Sequence, residues 1–470
     1  MANPSSGAIS LNDINSAFAY PATDKIDMGL YPFALGAGAS AGAQVQMSGF
    51  YFTQTGAVPL TTANVGSGSS GTAQQGISIA LSNDGLTLAV GGNTDNTNIG
   101  AVWIFTRSTA TSTTWTQQGS KLVGTGGIGT PKQGTSLAIS ANGNYLVVGG
   151  SNDNGGIGAV WVWTRSGTTW TQQTKLVPTG YTGTPAFGTS VAILPDCDYL
   201  AVGAPSEASG KGGVWFFTRS ITTWTQASFI SGASSALSGA AGTSVSLAKM
   251  KVPSYYGQQY LVAIGAPNYG TLSGTTYDGT AYVYGSSSFS GWTPDTSFNF
   301  QGTGATGLKG AARGTSVSLS ANGNTLAVGA PWDATTYIYG AGNGSIWIFS
   351  RTIGSSIEGN WSQQNLITPY FGVGRWGSAV ALSADGNVLA YSGWYIGGGN
   401  PTDAVGAMNV LTRTGSTWAA INTAIYVDGG IGTGAASWKG YSLSMTGNGK
   451  SLAFGAPADN SNIGGFWVSQ

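Results

Sequence analysis

The 470-residue chain contains no histidine. That removes Ser-His-Asp and Cys-His catalysis and the commonest transition-metal ligand. Glutamate occurs only at Glu207 and Glu358. A glycosidase needs two carboxylates facing each other across a cleft, and many of the aspartates here fall in expected turns. Cys197 is the one cysteine, so no intrachain disulfide forms, a disulfide-stapled secreted scaffold is excluded, and the residue reads as a small buried filler. Charged residues make up 7%, 17 basic against 17 acidic, which leaves no basic surface for nucleic acid or an anionic membrane. No run approaches the roughly 18 apolar residues of a spanning helix, and "MANPSSGAISLNDINSAF" has neither a basic n-region nor an apolar h-region. The expectation is a protein made in the cytoplasm without a secretion signal. It should have no membrane insertion, no nucleic-acid partner, no metal, no cofactor and no catalytic residues.

What the chain does have is 77 glycines with 41% hydrophobic and 11% aromatic residues. That apolar content is enough for a packed core, so the glycines read as turns in a β protein rather than as a linker. Aligning on a glycine that opens a short β-like run gives Gly76, Gly134, Gly188, Gly242, Gly314, Gly377 and Gly440, seven units in all. The unit at Gly314 reads "GTSVSLS", "ANGN", "TLAVGAP": two apolar runs around Asn-Gly, a strong hairpin signal through a type I′ turn. The turn recurs at Asp84-Gly85, Asn142-Gly143, Asn322-Gly323, Asp385-Gly386 and Asn448-Gly449. A third run follows, such as "AVWVWTR" from Ala159, and a fourth is built on Trp115, Trp170, Trp224, Trp292, Trp361 or Trp418. No segment reads as helical.

A lone four-stranded meander leaves both apolar faces wet, whereas seven set radially bury each face on a neighbour. The sequence therefore predicts an all-β, seven-bladed β-propeller of four-stranded antiparallel blades over residues 46–470. Its last unit stops after three strands. "FYFTQTGAVPL", residues 50–60, aligns with "TWTQQGSKLV" and is expected to complete that blade, closing the ring with an N-terminal strand. Trp103, Trp161, Trp215, Trp347 and Trp467 recur in the third strand and read as interblade core. Arg107, Arg165, Arg219, Arg351 and Arg413, which close that strand, read as structural too.

The segment "FGTSVAILPDCDYLAVGAP" from Phe187 resembles the FG-GAP repeat of integrin α-subunit and microbial propellers, with GAP recurring at Gly265, Gly329 and Gly455. The resemblance covers roughly residues 50–470 and implies the propeller fold. Family members often hold calcium in a D-x-D-x-D-G type loop between the first two strands. Here those loops carry at most one carboxylate, too few oxygens for the ion. Outside the repeats, "GAISLNDINSAF" together with "QMSGFYF" resembles short segments of bacteriophage tail and virion-associated proteins. That second resemblance implies a virion protein whose residues 1–45 form a segment docking it to other virion proteins.

Function is sought on the face carrying the second-to-third and interblade connections, since these are the long and irregular ones. Tyr269, Tyr277, Trp332, Tyr337, Tyr370, Phe371, Trp394 and Tyr395 lie there. Flat rings among Asn, Asp and Ser suit sugars as well as protein partners. The leading expectation is a tail-fibre or other appendage component that recognises a host-surface glycan or protein. A purely architectural propeller, serving as capsid decoration or fibre spacer, stays open, and a carbohydrate-active enzyme is the weaker third reading. A homo-oligomer also stays open, with no heptad to specify one.

Overall fold

The computed structural model describes residues 64–251, 258–270, 278–295, 300–304, 310–333, 343–352, 360–369, 374–395, 406–420, 425–426 and 438–469. They form seven antiparallel sheets set in a ring, an all-β propeller. Blade two is representative. Its strands run Ser136–Ile139, Tyr145–Gly150, Ala159–Ser166 and Thr169–Leu176, each hydrogen-bonded to the next. The first strand is innermost and packs on the first strands of blades one and three, and the same contact between blades seven and one completes the circle. The second and third strands are covered on both sides by neighbouring blades. Their sequences "YLVVGG" and "AVWVW" are accordingly continuous apolar runs without in-out alternation.

The five third-strand tryptophans are all 0–1% exposed and fill the space between blades, as the sequence predicts. Four donate their indole N–H to a backbone carbonyl ahead of their own blade, as Trp161 does to Thr125 at 2.9 Å. Truncating one to alanine should cost roughly 3–5 kcal/mol.

One serine-to-glycine hydrogen bond recurs at every junction between blades. Ser78, Ser136, Ser190, Ser244, Ser316, Ser392 and Ser442 donate Oγ–H to the carbonyls of Gly134, Gly188, Gly242, Gly314, Gly377, Gly440 and Gly76, at 2.6–2.9 Å. The accepting glycine has φ between 80° and 92° in all seven units and is the third residue of a type II turn, which explains why the repeat opens on glycine. Two positions earlier the turn begins on a residue that is left-handed without being glycine: Gln74, Lys132, Ala186, Ala240, Ala312, Arg375 or Trp438.

The short hairpin turns differ from the expected type I′. A type I′ turn needs positive φ at both central residues, yet in the five Asn-Gly and Asp-Gly copies only the glycine has it, at 66–73°. The chain instead makes the longer turn Ser82-Asn83-Asp84-Gly85, in which Gly85 N–H donates to the Ser82 carbonyl at 2.9 Å. Asp84 Oδ1 accepts from the Ser82 hydroxyl at 2.5 Å and the Leu86 N–H at 2.9 Å, so the side chain holds the turn from inside. The same hydroxyl bond recurs at Asn142, Asn322, Asp385 and Asn448. In blade three Cys197 stands in the glycine's place with φ 63° and is 3% exposed.

Blade seven shows three strands among the described residues, Ser442–Met445, Leu452–Ala456 and Gly465–Ser469. The docking segment 1–45 and the proposed closing strand at 50–60 lie outside the described residues. Asn64 exchanges two hydrogen bonds with Phe466, at 2.9 and 3.1 Å. It takes the level on that third strand at which Leu122 pairs with Val102 in blade one.

Candidate functional site

The second-to-third and interblade connections meet on one face. Gly100, ending the former in blade one, bridges Gln133 in the latter, and Gly158–Phe187, Gly212–Ala241, Gly279–Arg313, Gly344–Trp376 and Gly464–Gln75 repeat the bridge. On the other face the short turns of successive blades touch, Ala384 N–H donating to the Gly447 carbonyl at 2.7 Å.

In four blades the second-to-third connection is one turn of left-handed helix, which corrects the expectation of no helical segment. Asn96, Thr97 and Asn98 have φ of 48°, 58° and 69°, and Asn154-Gly155-Gly156, Ala208-Ser209-Gly210 and Asn460-Ser461-Asn462 follow suit. The left-handed region costs roughly 1–2 kcal/mol per ordinary L-residue, less for glycine and asparagine, which is why these connections are rich in both. A buried acid opens each turn. Asp95 accepts from Ser70 N–H at 2.7 Å and Lys121 Nζ at 2.5 Å, and Asp153 from Ile128 N–H at 2.7 Å and Lys175 Nζ at 2.6 Å. Lys175 also lies over the Trp161 ring at 5.3 Å. Blade three exchanges the whole set. Phe229 replaces the lysine and stacks on Trp215 at 5.4 Å, while Glu207, one methylene longer, accepts from Thr182 N–H at 3.0 Å and the Ser231 hydroxyl at 2.9 Å. These acids brace the connections and are committed to the fold.

The other feature of this face spans blades five, six and seven. Arg375 lies 4.1 Å from the ring centre of Trp332, 4.4 Å from that of Trp394 and 5.1 Å from that of Tyr395. Trp394 in turn meets Tyr395 at 5.9 Å, Trp438 at 5.2 Å and Tyr441 at 6.1 Å, and Trp438 stacks on Tyr441 at 6.2 Å. The local backbone explains the convergence. Arg375 and Trp438 are the left-handed residues that begin two successive type II turns, Trp394 directly follows the second strand of blade six, and Trp332 lies one residue beyond that of blade five. Trp332, Arg375, Trp394, Tyr395 and Trp438 are half-buried and Tyr441 is exposed. Burial pushes the Arg375 guanidinium below its usual value, against a smaller opposing effect of Tyr395. Half-buried rings held by their neighbours can stack on an apolar ligand face without paying much ordering entropy.

Of the eight aromatic residues singled out from sequence, Trp332, Trp394 and Tyr395 come together here. Tyr269 does not join them: its ring packs edge-on against Tyr282 at 5.9 Å and its carbonyl accepts from Gly279 N–H, so it anchors its own loop. Tyr277, Tyr337, Tyr370 and Phe371 lie outside the described residues. Sequence reading missed Arg375, Trp438 and Tyr441. Their signal was an arginine and a tryptophan where other units carry Gln74, Lys132 or alanine, two positions before the repeat glycine. The arginines closing the third strand are structural, as expected: Arg107, Arg165, Arg351 and Arg413 lie 4.8–6.0 Å from the fourth-strand tryptophans of their own blades.

No family model matches the chain, and no curated protein is similar to it. The FG-GAP and phage resemblances therefore rest on the quoted segments alone.

Proposed function

We propose that the protein is a non-enzymatic recognition propeller carried on a virus particle, binding a host-surface glycan through the aromatic face of blades five to seven. The convergence of five aromatic rings from three blades, three of them over Arg375 and the other two against Trp394, carries this reading. Sugar rings present C–H faces that stack on such surfaces, with hydroxyls left for nearby polar groups. The virion assignment is supported by the phage-like "GAISLNDINSAF" together with "QMSGFYF". Residues 1–45 would dock the propeller to the other virion proteins.

The test is binding of purified protein to intact cells of candidate hosts, comparing wild type with the triple variant Trp332→Ala, Trp394→Ala, Tyr395→Ala, its fold checked by thermal melting. Saturable binding that the variant loses supports the reading. Binding abolished by protease treatment of the cells, and untouched by glycosidases, would make the partner a protein. No binding to a host known to be infected would move the assignment to an architectural propeller, a capsid decoration or fibre spacer.

A further inference from the structure

All seven arginines of the chain are among the described residues, and six of them feel a carboxylate. Arg219 pairs with Asp198 at 2.7 Å. Asp84 acts on Arg107 and Arg165, Asp278 and Asp333 on Arg313, Asp295 on Arg351 and Asp385 on Arg413. Arg375 is the exception: among the described residues only the Tyr395 phenol acts on its charge. Its Nε is buried without a hydrogen-bond acceptor, and aromatic faces are its described neighbours. A cation lowered into a half-buried aromatic setting without a counter-charge costs desolvation that ring faces offset only in part. Six arginines with a carboxylate acting on them and one, Arg375, with none among the described residues, on the face where the aromatic rings gather, make an arrangement suited to an anionic group. Guanidinium is suited to that task because its planar fork matches a carboxylate in a two-point contact.

We propose that Arg375 receives the carboxylate of an acidic sugar while Trp332, Trp394 and Tyr395 stack on its ring, so that the recognised glycan is a uronic- or sialic-acid-bearing one. The proposal rests on the recognition reading above and narrows it to a ligand class. It makes Arg375 the specificity-determining residue and the aromatic rings the source of sequence-tolerant affinity.

Two probe pairs differ mainly in the charge: trigalacturonate against its methyl ester, and sialyllactose against lactose, each titrated into the full chain by calorimetry. The expected result is that at least one acid binds about tenfold or more tighter than its neutral partner, and that the preference shrinks in high salt. Arg375→Gln should erase the preference, and Arg375→Lys should keep part of it. Both replacements are safe for folding, because blade one has Gln74 and blade two Lys132 at this left-handed position. Equal binding within both pairs, no binding to either acid, or a preference that survives in Arg375→Gln overturns the proposal. If that happens while cell binding still depends on Trp332 and Trp394, the ligand class falls and the recognition reading stands; if cell binding never depended on them, the recognition reading falls as well.

Discussion

Ala379 and Ser392 face each other across the first two strands of blade six, reversing the serine–glycine pair that holds this level in the other blades. Elsewhere the pair is Ser78–Gly91, Ser136–Gly149, Ser190–Gly203, Ser244–Gly265, Ser316–Gly329 or Ser442–Gly455. A Cβ on Gly91 would stand 2.3 Å from both the Ser78 hydroxyl and the Gly134 carbonyl, so the hydroxyl excludes any side chain opposite it. In blade six the hydroxyl has crossed to the second strand, and Ser392 reaches the Gly440 carbonyl at 2.6 Å by itself. Ser392→Ala should therefore destabilise the protein by about 1–2 kcal/mol, the cost of a buried carbonyl left without its donor. The exchange Ala379→Ser with Ser392→Gly should recover most of that loss. Chemical denaturation of the three proteins measures both, and no recovery in the double variant would show that the two positions are not interchangeable.

Lys175 supplies the charge opposite Asp153, a carboxylate 1% exposed. Lys175→Met should cost about 2–3 kcal/mol, below the usual figure for breaking a fully buried pair because Ile128 N–H still holds the acid and the lysine is itself partly exposed. Adding Asp153→Asn should return part of this, since an amide carries no charge to strand. A double-mutant cycle by denaturation reads the coupling directly.

Tyr391 is 2% exposed, and burial pushes its phenol up to about 12 despite the hydrogen bond from Asn409 Nδ2 at 3.1 Å. Burial likewise pushes the Tyr284 phenol up to about 12. An unfolded tyrosine titrates near 10. With the folded pKa above the unfolded one, the stabilisation from keeping these phenols neutral is whole below about pH 10 and drains away as pH climbs towards 12. The melting temperature should fall across that window, and Tyr391→Phe should fall less steeply. Parallel slopes for the two proteins would contradict the assignment.

Cys197 combines near-complete burial with a thiol that burial pushes up. Its reaction with an aromatic disulfide reagent at neutral pH should be slow in the native protein and reach one equivalent promptly in denaturant. Prompt labelling of the native state would mean that the blade-three turn opens locally.

Sequence made the propeller legible because a blade is written in short-range patterns. The repeat glycine, the third-strand tryptophan and the Asn-Gly turn each sit at fixed positions within one unit. The turn type was misread because type I′ and the longer glycine-ended turn share the same dipeptide, and the choice depends on the Ser82 hydroxyl reaching Asp84. The left-handed turns were invisible for a related reason: their asparagines and glycines read equally well as loop. The site was half legible. Trp332 and Trp394 stood out as large rings in long connections, whereas Arg375 and Trp438 occupied positions that look purely structural in one unit. Only the packing of successive blades brings positions from three units to one place.

The serine bonds run from each blade to the next and return from Ser442 to Gly76, so the series has no outermost member. A linear repeat array frays from its ends, where the terminal units have one neighbour. Here every unit has two, and detaching any one breaks the contact it makes and the contact it receives. Loosening the loops of the aromatic face therefore leaves the inner circle intact, and the protein can vary what it touches without renegotiating how it stands.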